Sequence, residues 1–216
     1  MTEAKYGLVL EGGGAKGAYH IGAAKALSEL NIEFGGVSGT SIGALNGAML
    51  IQGDLDKVYD LWYNIQPSKV YEIDDEYFRD LRDFNLNKNT LLYFFKKAKD
   101  IFEKKGIDNS KIKKILEDYI DEEKIRNSGK EFGIVTISVT DREPMELYLE
   151  DIPEGKLADY LMASAYLPVF VKEKMDGKIF LDGGFYNNLP VGLLSEKGFN
   201  DIIAVRTHGI GLSPNL

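Results

Sequence analysis

Twice within the first fifty residues, a short apolar run breaks into glycines and restarts as a helical pattern. Residues 6 to 10, YGLVL, lead into Glu11-Gly12-Gly13-Gly14-Ala15-Lys16-Gly17. AYHIGAAKALSELN follows, with Ile21, Ala24, Leu27 and Leu30 at helical spacing. FGGVSG leads in the same way into Gly39-Thr40-Ser41-Ile42-Gly43 and the small-residue pattern SIGALNGAML. Two strand–glycine–helix units in succession favour a parallel sheet covered by helices, because each helix returns the chain to lay the next strand alongside. Strand chemistry resumes in EFGIVTISVT (131–140) with PMELYLE paired beside it, then in GKIFLDGG and FNDIIAVRT. LADYLMASAYLPVF predicts a helix stopped by Pro168. From about 54 to 130 the texture changes to amphipathic helical patterns: DLDKVYDLWYNI, TLLYFFKKAKDIFEKK and SKIKKILEDYIDEEKIRN. The expected fold class is α/β, a three-layer α/β/α arrangement with a largely parallel central sheet and a helical insertion over 54–130. A length of 216 residues suits one domain, 1–216.

Each glycine turn has a chemical reading. Gly39-Thr40-Ser41-Ile42-Gly43 has the spacing of a nucleophile elbow, in which a serine sits between strand and helix and the flanking glycines, Gly39 and Gly43, let the chain double back. The plainer reading is an N-cap serine. Gly12 to Gly17 satisfies the dinucleotide fingerprint G-x-G-x-x-G, which demands an acidic residue at the end of the second strand. That strand ends in Val37-Ser38-Gly39, and Glu33 lies at its other end, so the ribose ligand is missing. A P-loop is excluded because Gly17, not Ser or Thr, follows Lys16. The loop suits an oxyanion hole instead, with the N–H groups of Gly13 and Gly14 facing a carbonyl opposite Ser41.

A serine nucleophile needs a base. The chain has two histidines, His20 and His208. The order Ser41, Asp182, His208 matches an α/β-hydrolase triad, but Ser41 follows only the second strand, and His208 sits in a glycine-containing stretch expected to be mobile. His20, on the first helix, reads as a surface or packing residue. Asp182 ends a strand, and Gly183-Gly184 let the backbone turn away so that the carboxylate projects at the sheet edge. A turn-forming aspartate is the bland alternative. Sheet-end placement with Ser41 and the glycine loop favours Asp182 as the base.

Together EGGGAKGAYHIGAAKAL, GVSGTSIGALNG, ASAYLPVF and DGGFYNNLPV resemble the patatin-like phospholipases. The resemblance covers about residues 6–50 and 158–206 and leaves the middle helices without a matching motif. It implies a serine–aspartate dyad without histidine: Ser41 as nucleophile, Asp182 as base, and an oxyanion hole from Gly12, Gly13 and Gly14 with Lys16 at a family Lys/Arg position. Glu11 stands where the family often has Asp, a change expected to matter little. Ser164, within ASAYLP, is read as structural. The chain stops soon after its last core strand and is shorter than many relatives, which leaves open whether a C-terminal portion that completes the pocket is missing. The implied activity is hydrolysis of phospholipid or related acyl esters through an acyl-enzyme, without cofactor or metal. An NAD(P)-binding protein using Gly12–Gly17 and a non-catalytic lipid-binding protein are the alternatives.

Composition narrows the partners. A net charge of −8 argues against nucleic acid. The absence of cysteine excludes disulfides and thiolate sites and fits a cytoplasmic protein. No signal peptide or run of eighteen apolar residues is found. Trp62, Tyr63, Leu91, Leu92, Tyr93, Phe94 and Phe95 are expected as core or as a lid or acyl-chain wall. LLYFFKK is the best candidate for transient contact with a membrane surface. Oligomeric state is left open.

Overall fold

The computed structural model describes residues 6–70, 74–82 and 87–208. Strand β1 (Tyr6–Leu10) passes through a 3-10 turn into helix α1 (Ala18–Glu29), and β2 (Phe34–Thr40) passes through Ser41 into α2 (Ile42–Ile51). Helices α3 (Leu55–Asn64), α4 (Pro67–Val70), α5 (Asp75–Arg82), α6 (Lys88–Lys104), α7 (Ser110–Tyr119) and α8 (Glu122–Arg126) follow. The core then resumes with β3 (Glu131–Ser138), β4 (Glu143–Tyr148), α9 (Leu157–Ser164), β5 (Phe180–Asp182), α10 (Val191–Glu196) and β6 (Ile202–Val205).

The strands form one sheet in the order β4-β3-β2-β1-β6, with helices on both faces. The pairs β1–β2, β1–β6 and β2–β3 are parallel, and β3–β4 is antiparallel. Eight of the ten residues of α2 are buried, so it is a core helix with no polar face. It lies close to the sheet because Gly47 leaves room for Val37 and Phe132. On the opposite face, Gly133 and Gly7 leave space that Leu193 and Leu194 of α10 fill. Leu8, Leu10, Val37, Phe132, Ile134, Leu161 and Phe180 form the main apolar cluster.

Two expectations change locally. SKIKKILEDYIDEEKIRN forms two helices rather than one, since Ile120 is extended and the Asp121 carboxylate caps α8 by accepting the Lys124 N–H. Helix α9 ends at Ser164, well before Pro168, because the Ser164 hydroxyl and the Ala163 carbonyl turn onto β3.

β5 carries the main departure from a parallel layout. It runs antiparallel to β3, with Thr136 opposite Asp182 and Ser138 opposite Phe180. β2 occupies the same edge of β3 only up to Val135. Where β2 turns away at Ser41, β5 takes over the vacated edge from the other direction. The two strand ends therefore meet head to head, which brings residues 41 and 182 together.

Candidate active site

Ser41 occupies the turn between β2 and α2 with φ 56° and ψ −127°, a conformation unfavourable for a residue with a side chain. Its side chain makes no capping bond to the helix. The hydroxyl instead donates to Asp182 Oδ2 at 2.6 Å. The strain is imposed from around it. A Cβ on Gly39 would lie 2.3 Å from the Gly43 carbonyl oxygen, and one on Gly43 would lie 2.2 Å from that of Leu10. Gly43→Ala therefore pushes α2 off β1 and is expected to lower stability by at least about 3 kcal/mol, measured by denaturant unfolding.

Ser164 supports the turn from beneath. Its hydroxyl accepts the Ser41 N–H at 2.9 Å and donates to the Val135 carbonyl at 2.6 Å, so the elbow is tied to the edge of β3. The structural reading of Ser164 thus has a definite geometry.

Asp182 is buried and uses both carboxylate oxygens: Oδ2 accepts from Ser41, and Oδ1 accepts the Gly184 N–H at 2.7 Å. Burial raises its pKa above the ordinary carboxylate value, and the bonds from Ser41 and Gly184 offset only part of that. Gly183 is needed where the chain leaves the strand, since a Cβ there would lie 2.2 Å from the Val135 carbonyl oxygen.

Ser41 and Asp182 open into a cavity of about 420 Å³ that is also lined by Gly12, Gly13, Gly14, Lys16, Gly184 and Asn188. Leu167, Phe185 and His208 complete its wall. All the main predicted site residues therefore converge, and among the described residues none of the lining comes from 54–130. The loop glycines are not equivalent. The Gly12 N–H donates to the Asn188 carbonyl at 3.1 Å, and the Gly12 carbonyl accepts from Asn188 Nδ2 and Thr207 Oγ1. The Lys16 N–H donates to the Gly13 carbonyl. The N–H groups of Gly13 and Gly14 have no acceptor among the described residues. The contribution expected of Gly12 is thus corrected: its amide is already spent on holding the loop, as is that of Lys16, whose side chain lines the cavity.

Glu11 matters more than expected. Its buried carboxylate accepts the N–H groups of Thr207 and His208 at 2.6 and 3.0 Å, clasping the end of β6 against the glycine loop. Burial alone would raise its pKa, but the His208 and Thr207 N–H groups prevail and hold it below the usual carboxylate value. His208, expected to be mobile, is held by this clasp at the cavity wall. Its Nδ1 lies 3.4 Å from Glu11 Oε1. Residues beyond His208 lie outside the described set.

His20 is a packing residue: it is fully buried, and burial pushes its pKa down to about 4, so it is neutral. Its Nδ1 lies 3.3 Å from Asn46 Nδ2, which donates to the Gly17 carbonyl at 2.9 Å. Trp62 donates to Asn46 Oδ1 at 2.9 Å, so this aromatic ties α3 to α2 and the loop instead of walling the cavity. Asn46 and Asn188 fall within the quoted motifs but were given no role there, and Thr207 was not singled out, because their hydrogen bonds go to segments that only the fold brings near.

Comparison with known proteins bears on the fold and the family. A family model described as Patatin-like phospholipase matches residues 8–195, including the middle helices that no single motif marked. The chain is 30% identical over 215 residues to the Caenorhabditis elegans patatin-like phospholipase domain-containing protein ZK370.4, covering 94% of this chain and 14% of that protein. It is 28% identical over 206 residues to neuropathy target esterase sws of Drosophila melanogaster, covering 95% and 13%. It thus spans about a seventh of the length of these relatives. The crystal structure of VipD from Legionella pneumophila shares the fold, with a TM-score of 0.59, 20% identity, and coverage of 93% of this chain and 49% of that one. Three segments far apart in sequence close on one hydroxyl in a fold already seen, and the matched model spans nearly the whole chain: it belongs to the patatin-like phospholipase family.

Proposed function

We propose that the protein hydrolyses acyl esters of phospholipids or related lipids through an acyl-enzyme on Ser41. The observation that carries this reading is the 2.6 Å hydrogen bond from a strained elbow serine straight to a buried carboxylate. Asp182 accepts the Ser41 proton as Oγ attacks the ester carbonyl. The Gly13 and Gly14 N–H groups stabilise the oxyanion that forms, in the cavity beside Lys16. The protonated Asp182 gives that proton to the departing alcohol or lysolipid oxygen, leaving the acyl-enzyme. The carboxylate then takes a proton from water as its oxygen attacks the acyl carbonyl, and returns it to Ser41 Oγ as the fatty acid leaves. The raised pKa makes Asp182 a stronger base than an exposed aspartate, at the cost of an acidic limit on activity.

The relatives' names, phospholipase and esterase, support the substrate class. We read residues 1–216 as one domain with 54–130 as an insertion, acting in the cytoplasm on lipid met by transient contact with a membrane surface. No described helix is long and apolar enough to cross a membrane. A serine-reactive fluorophosphonate tests the reading: stoichiometric labelling at Ser41 supports it, and an unlabelled folded protein favours lipid binding without turnover.

His208 is the rival base. Both Asp182 oxygens are occupied by Ser41 and Gly184, and the imidazole faces Glu11 and Thr207, so the Asp–His bond that orients a triad is missing. His208→Ala is expected to keep at least about a tenth of the turnover of p-nitrophenyl butyrate. A loss of about a thousandfold in a folded variant would restore the triad.

A further inference from the structure

Helix α6 is anomalous for a helix of a globular domain: of its 17 residues only Thr90 is buried. Its inner side is accounted for. Thr90 donates to Asp80 at 2.5 Å, and Tyr93 stacks on Tyr77 of α5 with ring centroids 3.9 Å apart. Leu91, Phe95, Ala98 and Phe102 recur at i, i+4, i+7 and i+11 and so form a narrow stripe turned away from that side. Leu91 is 55% exposed, Phe95 73% and Phe102 85%. Such a stripe, held in water along a helix that buries almost nothing of its own, marks an interaction face rather than a packing face.

Charge identifies the occupant. The helix carries five lysines against Asp100 and Glu103, a local excess of positive charge in a chain of net charge −8. By helical spacing Lys88 and Lys99 lie along one flank of the stripe, where their stems can lie over apolar surface, and Lys96 lies farther round on the same side. Lys99 Nζ is 3.7 Å from Glu103 Oε1, an exposed pair that a head group can replace. A second copy would set two like-charged helices against each other. An anionic lipid surface matches both parts of the face, the apolar stripe entering the acyl boundary and the lysines meeting head groups.

The face is also joined to the catalytic cavity. Gly106 and Ile107, just past the end of α6, lie against residues 169–171: the Ile107 N–H donates to the Val169 carbonyl at 2.7 Å, and the Val171 N–H donates to that of Ile107 at 3.1 Å. Leu167, two residues earlier, lines the cavity, and Val169 is itself exposed.

We infer that α6 is the docking element by which this protein seats on anionic membrane, with Leu91, Phe95 and Phe102 inserting and Lys88, Lys96 and Lys99 binding head groups. The inference rests on the lipid-hydrolase reading for its purpose but is tested apart from it. Binding is measured by co-sedimentation with vesicles of phosphatidylcholine alone and of phosphatidylcholine mixed with phosphatidylglycerol, using the Ser41→Ala protein so that no lipid is consumed. Binding is expected to favour the anionic vesicles and to weaken as salt rises. On that background, Leu91→Ser/Phe95→Ser/Phe102→Ser is expected to weaken it more than about tenfold, and Lys96→Glu/Lys99→Glu to remove the preference for anionic vesicles. In the Ser41 protein, the triple variant keeps its fluorophosphonate labelling rate and its turnover of p-nitrophenyl butyrate while losing hydrolysis of vesicle lipid. Unchanged vesicle binding by the triple variant overturns the proposal, as does a stripe that holds a dimer in analytical ultracentrifugation and leaves lipid binding unaffected. Docking without hydrolysis of any acyl ester by wild type sinks the hydrolase reading and leaves the docking face standing.

Discussion

Ser41→Ala is expected to cut acyl-ester turnover by about four to six orders of magnitude, the scale seen when an enzyme loses its covalent nucleophile. No neighbouring hydroxyl can substitute. Ser164 is within reach of the elbow, but its hydroxyl is committed to the Val135 carbonyl and the Ser41 N–H. The fold should survive, because the positive φ is set by the packing of Gly39 and Gly43 and persists with alanine. Ser41→Gly separates chemistry from strain: it is equally inactive, yet it relieves the φ of 56° and should be more stable than the alanine variant by about 1 kcal/mol. Turnover of p-nitrophenyl esters, intact-protein mass after fluorophosphonate treatment and thermal unfolding check these together. Ser41→Ala retaining more than about a hundredth of wild-type turnover would show that the nucleophile lies elsewhere.

Asp182→Asn should be nearly as damaging, about three to four orders of magnitude, since the amide cannot accept the serine proton. Its effect on stability has the opposite sign. Asp182 has a raised pKa in the folded protein, so the protonated form is favoured by folding. The stability this contributes is fully present below the ordinary aspartate value and is lost as pH rises through the raised one. At neutral pH the buried carboxylate therefore burdens the fold. Asparagine removes the charge while keeping an oxygen for the Gly184 N–H, so the variant should melt no lower than wild type at pH 7. For the same reason kcat/KM of wild type should fall on the acid side with a single-proton limb above the ordinary aspartate pKa. An unshifted limb, or a strongly destabilised Asp182→Asn, contradicts the assignment.

Much of this site is legible in the sequence because the chemistry of a sharp turn is local. An apolar run, a glycine, a serine and a second glycine specify a strand-to-helix elbow whatever surrounds it, and β1, β2, α1 and α2 form where their patterns predict. The same holds for Asp182, flagged by its own position at a strand end before two glycines. The roles of Glu11 and Asn188 were not legible, although both stand in quoted motifs, because each works through partners more than 170 residues away. The histidines show the converse. Residue type advertised a base, while packing neutralised and buried one and turned the other toward Glu11.

By itself, then, the sequence determined the two glycine turns and the order of the strands, and it singled out Ser41 and Asp182. Only the tertiary structure decided how they meet. β5 enters antiparallel along the edge of β3 that β2 vacates, the Gly12 amide is spent on Asn188 while those of Gly13 and Gly14 have no acceptor among the described residues, and the apolar stripe of α6 is left facing outward. The physical reason is range. Backbone conformation at a turn is set by sterics within a few residues, whereas a hydrogen bond across 141 residues depends on strand register and on which groups the surrounding packing has already satisfied.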